Sequence, residues 1–509
     1  YGYPNVLASY PFAMTTMPMW FAEGTAQYND PSYRYDFWDS HRDMQLRTRA
    51  LDGELLNLDN MEVFGKNSVG NESVYNHGFN LVKYISETYG VEALRDLTRE
   101  QSRITRISFN TSCKKVLGIS GYELHDNWVE HVTEFYTNAT EVIRANQVVG
   151  EMIDSTGTAN LYSKFSPDGK KLYFVSDRGN DYFSQRNLYV WDRAYVDNPD
   201  SVFDKDSDVD SEPELIAKRV THGFDITRDG RWLVYSRITL QRNESNYSDL
   251  YLYDLEEEKE HRLTVSGRAW EPSFNPDNNK LVFVVNRDGT LDLATLDLPP
   301  QEEWTEMDKF QADDIVRLTD WNDGTRAYRP TFSPNGETIL FAMSGDIGRD
   351  LMLMDVDGSN LRAAVAGDGD QRDGIWGPSG QIVYYASDET GIFNIYRHNL
   401  ATGQTDLLTN TIGGAVSPEL SPDAMTLIFS NWHSDGYKLH RLDRPIQLNK
   451  RTAKYGRDYL AALPDPVFDD TDVKILDSDY YKPMFEQVFF VPRIAWDYGT
   501  FKPGVYVFS

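Results

Sequence analysis

The spacing of apolar side chains changes character once along this chain, near residue 150. Before that point apolar positions recur every three or four residues. In residues 76–89 (NHGFNLVKYISETY), Phe79, Val82, Ile85 and Tyr89 fall on one side of a 3.6-residue spiral, and Gly90 follows as a stop signal. Residues 91–101 keep the rhythm. So do residues 122–145, which bring Leu124, Trp128, Val132, Phe135 and Tyr136 near one face. The spacing predicts a mainly α-helical region over residues 1–150.

From about residue 161 the pattern becomes short strands and turns, and it repeats. A turn is followed each time by an apolar run: SPDG at 166–169 then LYFV, RDG at 228–230 then LVYS, NPDN at 275–278 then LVFVV. Further copies are SPNG at 333–336 then ILFA, GPSG at 377–380 then IVYYA, and SPDA at 421–424 then LIFS. Proline presets φ for a turn, Asp or Asn closes it through its side chain, and Gly accepts a positive φ. A second strand ending in Asp or Asn follows each copy, as in LYVWD, LYLYD and LMLMD. A third often reads RLT or LLT. The turn positions 168, 229, 277, 335, 379 and 423 end on two steps of 44 residues, the period of a propeller blade. Longer steps hold insertions at 193–212, 238–249 and 299–313. The expectation is an all-β six-bladed propeller over 151–446, with the run after each turn as an inner strand. An irregular tail, 447–509, follows, and its end alternates aromatic and small residues as in a membrane-barrel strand.

The composition narrows the function. Lys plus Arg is 50 and Asp plus Glu is 79, a net charge of −29. That argues against a nucleic-acid binder, which needs clustered cations on phosphates, and against docking on anionic lipid. The single cysteine, Cys113, excludes an intrachain disulfide framework. No 18-residue apolar run occurs, and residues 1–20 lack the basic start and apolar core of a signal peptide. No Gly-x-Ser-x-Gly elbow occurs, which removes the serine-hydrolase reading.

The six turn-and-strand copies resemble the TolB-like (PD40, WD40-like) propeller repeats over about 160–445. That resemblance implies a six-bladed propeller, commonly periplasmic and commonly a protein-interaction platform. The helical region departs from the family's small α/β N-terminal domain. It carries a resemblance of its own: PMWFAEGTAQY at 18–28 looks like the P-x-W-x-x-E-G-x-A-x-Y segment of gluzincin metallopeptidases. Residues 75–90 and 121–128 are similar to the helices that follow it there. The fold class is therefore an α-helical, metallopeptidase-like N-terminal region plus an all-β six-bladed propeller. By that resemblance Glu23 is the third zinc ligand. Near such a metal Tyr75 or His77 would stabilise an oxyanion, although a lone His or Tyr on a helix is more often a packed or surface residue. A peptidase zinc needs two His and one carboxylate, with an open site for water. The His pair and general base would come from an upstream HExxH helix, but no His here is followed by Glu. A zinc metallopeptidase is thus expected only if that motif precedes Tyr1. Otherwise the region is a scaffold.

Asp204, Asp206, Asp208 and Asp210, with Glu212 behind them, form an oxygen-rich loop of the kind calcium wants. The loop lacks the Gly at position six and the Glu at position twelve of an EF-hand, which favours a solvated acidic insertion. Residues 367–373 (GDGDQRD) are a weaker second case. The order of peptidase-like region, propeller and tail is similar to outer-membrane proteins in which such domains precede a barrel. The expected partner is a protein or peptide at the propeller face, with an outer-membrane barrel or larger membrane complex as the alternative. The expected location is the periplasm or outer membrane of a bacterial envelope.

Overall fold

The computed structural model describes residues 17–28, 39–62, 68–103, 108–180, 185–197, 212–240, 244–287, 289–345, 348–367, 369–455, 489–497 and 500–508. Its helical part contains α1 (Met19–Tyr28), α2 (Ser40–Asp52), α3 (Leu58–Met61), α4 (Ser68–Tyr89), α5 (Glu92–Gln101), α6 (Phe109–Val116) and α7 (Gly121–Ala139). The side chains of Asp39 and Ser120 accept the backbone N–H of Arg42 and Glu123, the N-cap geometry that starts α2 and α7. Trp20, Phe21, Phe79, Val82, Ile85, Leu124, Trp128 and Val132 meet in one core.

Two elements correct the sequence expectation. Helix α4 begins eight residues before position 76. In α7 the buried stripe is Leu124, Trp128, Val132 and Tyr136, whereas Phe135 is 39% exposed. A strict i, i+4 line covers the first four and leaves Phe135 to one side. Helices α1 and α4 cross in backbone contact. A Cβ on Gly24 would stand 2.4 Å from the carbonyl of Gly78, and one on Gly78 would stand 2.4 Å from the Trp20 carbonyl oxygen. Only glycine fits at that crossing.

The β part forms six four-stranded antiparallel sheets. Blade 1 starts with Asn160–Phe165, blade 2 with Phe224–Ile226, blade 3 with Ala269–Phe274, blade 4 with Ala327–Phe332, blade 5 with Arg372–Trp376 and blade 6 with Ala415–Leu420. Each repeated turn joins this first strand to the second. The innermost strand is therefore the one before the turn, not the apolar run after it. The run after the turn is the second strand, buried between neighbouring blades: Leu172, Phe174 and Val175 are fully buried, as are Leu281 to Val285.

Blade 6 closes the ring. Its outermost strand, Glu151–Asp154, precedes all other strands in sequence and pairs with Gly436–Asp443, with Glu151 opposite Arg441. The turns make a second closure. The proline of one blade's turn packs on the glycine of the next: Pro167 against Gly230, Pro276 against Gly336, Pro334 against Gly380. Pro422 of blade 6 lies over Gly169 of blade 1, 3.6 Å from where a Cβ on that glycine would stand, which completes the circle. The SPDG pattern thus sets the local turn and also the blade-to-blade fit.

Helix α2 seats the helical part on blades 5 and 6. Arg47, 1% exposed, donates through Nε to the Ile412 carbonyl at 2.8 Å and through Nη2 to that of Gly413 at 2.9 Å. Its third contact is an ion pair with buried Asp43, which also accepts from Tyr136 and Tyr455 hydroxyls at 2.8 and 3.1 Å. Trp432 donates to Thr48 at 3.1 Å. Val148 and Asn410 exchange two backbone hydrogen bonds of 3.0 Å where the chain passes from helices to blades. In the tail, Ala453 and Tyr455 are buried, and Phe489–Asp497 pairs with Thr500–Phe508 as an antiparallel hairpin. Among the described residues no helix is long and apolar enough to cross a membrane.

Candidate functional site

The six innermost strands surround a central channel lined by residues of all six blades. In five of the six blades the innermost strand carries a register shift across a three-residue step, as between Leu161 and Lys164 or Arg372 and Ile375. At that bulge sit Tyr162, Glu271, Arg329, Asp373 and Ser417, all with φ between +47° and +57°. The equivalent residue of blade 2 is Gly223. Positive φ costs a non-glycine residue energy, so five repeats of it mark a feature imposed by the ring. The bulge re-aims these side chains.

The channel wall is charged, and its charges staple the blades. Glu419 of blade 6 accepts the Phe165 N–H of blade 1 at 3.1 Å. Asp225 of blade 2 accepts from Phe274 N–H at 2.9 Å and from the Ser273 hydroxyl at 2.8 Å, both in blade 3. Glu271 of blade 3 accepts from Arg329 N–H of blade 4 at 2.8 Å, and Asp373 of blade 5 from Ser417 N–H of blade 6 at 3.0 Å. Lys164 pairs with Asp225 at 2.7 Å, and Arg329 with Asp373 at 3.1 Å. The Arg329 guanidinium lies 4.7 Å from the Tyr162 ring centroid, a cation–π contact.

Burial and pairing split the acids. Burial pushes the Glu419 carboxyl from 4.5 up to about 7, with Asp225 adding to the rise while Lys164 and the Phe165 N–H oppose it. Burial also raises Glu271. Burial alone would raise Asp373, but Arg372, Arg329 and Arg349 hold it well below the usual carboxylate range. Beside the channel Asp373 is thus a firmly ionised carboxylate among arginines, and in the channel wall Glu419 is a carboxyl that titrates near neutrality.

Blade 5 also touches the helical part. Arg372, beside Asp373, donates to His41 of α2 at 3.0 Å, and the His41 ring packs 4.7 Å from that of Phe393.

The residues singled out in the sequence lie elsewhere. Glu23 is on α1, half-buried, its carboxyl raised by burial. His77 is on α4 next to the Gly78 crossing. It is fully buried against Trp128, neutral because burial holds it well below its ordinary value, and neither ring nitrogen has a hydrogen-bond partner among the described residues. It is thus packed inside the helical core. Tyr75 lies half-buried on the same helix. Among the described residues no three His, Cys, Asp or Glu side chains converge to hold a metal, so Glu23 does not form a complete zinc site with them. Asp204, Asp206 and Asp208 lie outside the described residues. In 367–373, Asp370 accepts from Arg349 Nε at 2.6 Å and Asp373 is engaged by Arg329, so both carboxylates serve arginines.

Sequence reasoning missed the channel residues themselves. Their signal was present: the hexapeptides before the turns (LYSKFS, WEPSFN, YRPTFS, VSPELS) put polar or charged residues at the second and fourth positions of otherwise strand-like runs.

Comparison with known proteins bears on the same segment. Residues 320–450 match the model of the TolB beta propeller domain. Similar solved structures include a putative TolB from Agrobacterium tumefaciens (19% identity, 58% of this chain and 93% of that one, TM-score 0.40). TolB from Acinetobacter baumannii shares 16% identity over 57% of this chain and 65% of its own, with a TM-score of 0.37. An oligogalacturonate lyase from Vibrio parahaemolyticus shares 16% over 59% of this chain and 96% of its own, with a TM-score of 0.35. The chain carries a TolB-like six-bladed β-propeller with a helical region seated on blades 5 and 6.

Proposed function

We propose that this protein is an interaction module of the bacterial envelope, and that its propeller binds a protein or peptide partner at the central channel. The observation that carries the reading is the channel wall. Charged side chains from five blades, Lys164, Asp225, Glu271, Arg329 and Glu419, converge on it, and hydrogen bonds across blade boundaries fix them. A wall whose charges are already placed recognises a partner's polar groups without reorganising, which lowers the entropic cost of binding. A closed ring also keeps those positions rigid relative to one another. The match of residues 320–450 to the TolB propeller domain supports the envelope setting and a protein partner. The tail hairpin is compatible with attachment to an outer-membrane barrel or a larger membrane complex.

The test is retention of a partner. The immobilised full chain is exposed to detergent-solubilised envelope of the source bacterium, beside a Lys164→Gln/Arg329→Gln variant of unchanged circular dichroism. A protein retained by the parent and lost from the variant supports the proposal. Equal retention by both contradicts the channel as the binding site.

A further inference from the structure

Two imidazoles face each other where blade 6 meets the segment leading from the helices. His433 ends the strand Thr426–His433, and His440 lies in Gly436–Asp443, the next strand of the same blade. Their Nε2 atoms are 3.0 Å apart, with ring centroids 5.2 Å apart and planes at 25°.

The hydrogen bonds around them fix where the His440 lone pair is. His440 Nδ1 lies 2.8 Å from the Val149 carbonyl oxygen. A carbonyl only accepts, so the proton of neutral His440 is on Nδ1 and its Nε2 is bare. On the other side the amide Nδ2 of Asn431 lies 3.4 Å from His433 Nε2, too far to compete strongly for it. Without a metal, a neutral His433 donates its Nε2 proton to the His440 Nε2 lone pair across the 3.0 Å gap. With the His433 proton on Nδ1 instead, both Nε2 lone pairs face the gap, and one electron-pair acceptor takes the place of the bridging proton.

We propose that His433 and His440 bind a divalent transition-metal ion of the zinc, nickel or copper class through their Nε2 atoms. Imidazole suits those ions. Ligand nitrogens about 2.0–2.1 Å from one ion stand about 2.9 Å apart at a right angle and about 3.3 Å apart at the tetrahedral angle, which brackets the separation seen. The bond from His440 Nδ1–H to a backbone carbonyl is the outer contact that orients metal-binding imidazoles. His440 is 3% exposed and His433 is half-buried, so solvent reaches the His433 side to fill the remaining positions. The site is separate from Glu23 on α1 and from the channel. It lies where α2 touches blade 6, since Arg49 donates to the Ser434 carbonyl at 2.9 Å.

The experiment is a calorimetric titration of the chelator-stripped full chain with zinc sulfate, nickel chloride and copper sulfate in turn. Uptake of one ion with a micromolar Kd is expected, weakened at least tenfold in His433→Ala and in His440→Gln and unchanged in His261→Ala. The copper-loaded protein should show two-nitrogen hyperfine structure in its electron paramagnetic resonance spectrum. Should His440→Gln fail to fold, the half-buried His433→Ala decides alone. No uptake below millimolar metal, or an unchanged titration in His433→Ala, overturns the proposal.

Discussion

Individual residues of the channel show how one environment sets two acids apart. Asp373 has arginines around it, and Glu419 has one lysine and a neighbouring carboxylate. Their contributions to stability run in opposite directions with pH. Because the Glu419 pKa is raised on folding, the protonated form favours the folded state. That contribution is full below about 4.5 and is lost as pH rises through about 7. Asp373, held low, gives stability that is present above its unfolded value and is lost only in stronger acid. Glu419→Gln is therefore expected to flatten the fall in unfolding free energy between pH 4.5 and 7.5 while leaving the acid limb in place. Urea titrations across that range check it, and a parental slope retained by the variant would refute the assignment.

At the scale of elements, polar chemistry decides what sequence periodicity could and could not show. The repeated turns were legible because proline, Asp and glycine there serve both the turn and the next blade's packing. The second strands were legible as apolar runs. The innermost strands were not, because charged residues interrupt them where they face the channel. Helix α2 was missed for a related reason. Its sequence, SHRDMQLRTRALD, is mostly polar, yet Asp43, Arg47 and Thr48 are buried with the propeller's loop carbonyls and Trp432 as partners. An apolar stripe marks a helix that buries carbon, and α2 buries a hydrogen-bonded cation. Removing that cation leaves Asp43 charged and without its closest counter-ion. Arg47→Met is expected to cost about 3–5 kcal/mol, the usual penalty for breaking a buried pair. The loss should fall on the seam, so calorimetry should resolve separate transitions for helices and blades where the parent shows them coupled. A single transition at the parental temperature would show that α2 does not hold the two together.

Over the whole molecule, the ring was legible in six spaced copies, and its closure was not. Nothing in the residues 151–154 announces that they complete the sixth blade, because a sheet partner almost 300 residues away leaves no local pattern. Glu23 stands in a segment resembling a metallopeptidase, but the described residues around it supply no ligand set. The weight of the functional reading therefore rests on the propeller, where all six blades contribute to one lined cavity.

That reading is tested most directly by site-specific photo-crosslinking in the intact bacterium. A benzoylphenylalanine in place of Tyr162 puts the probe on the channel wall, and one in place of Leu215, 41% exposed on the outermost strand of blade 1, puts it on the rim. Irradiation should join a protein partner to the chain through position 162 and leave position 215 unmodified. Adducts from 215 with none from 162 would contradict recognition through the channel.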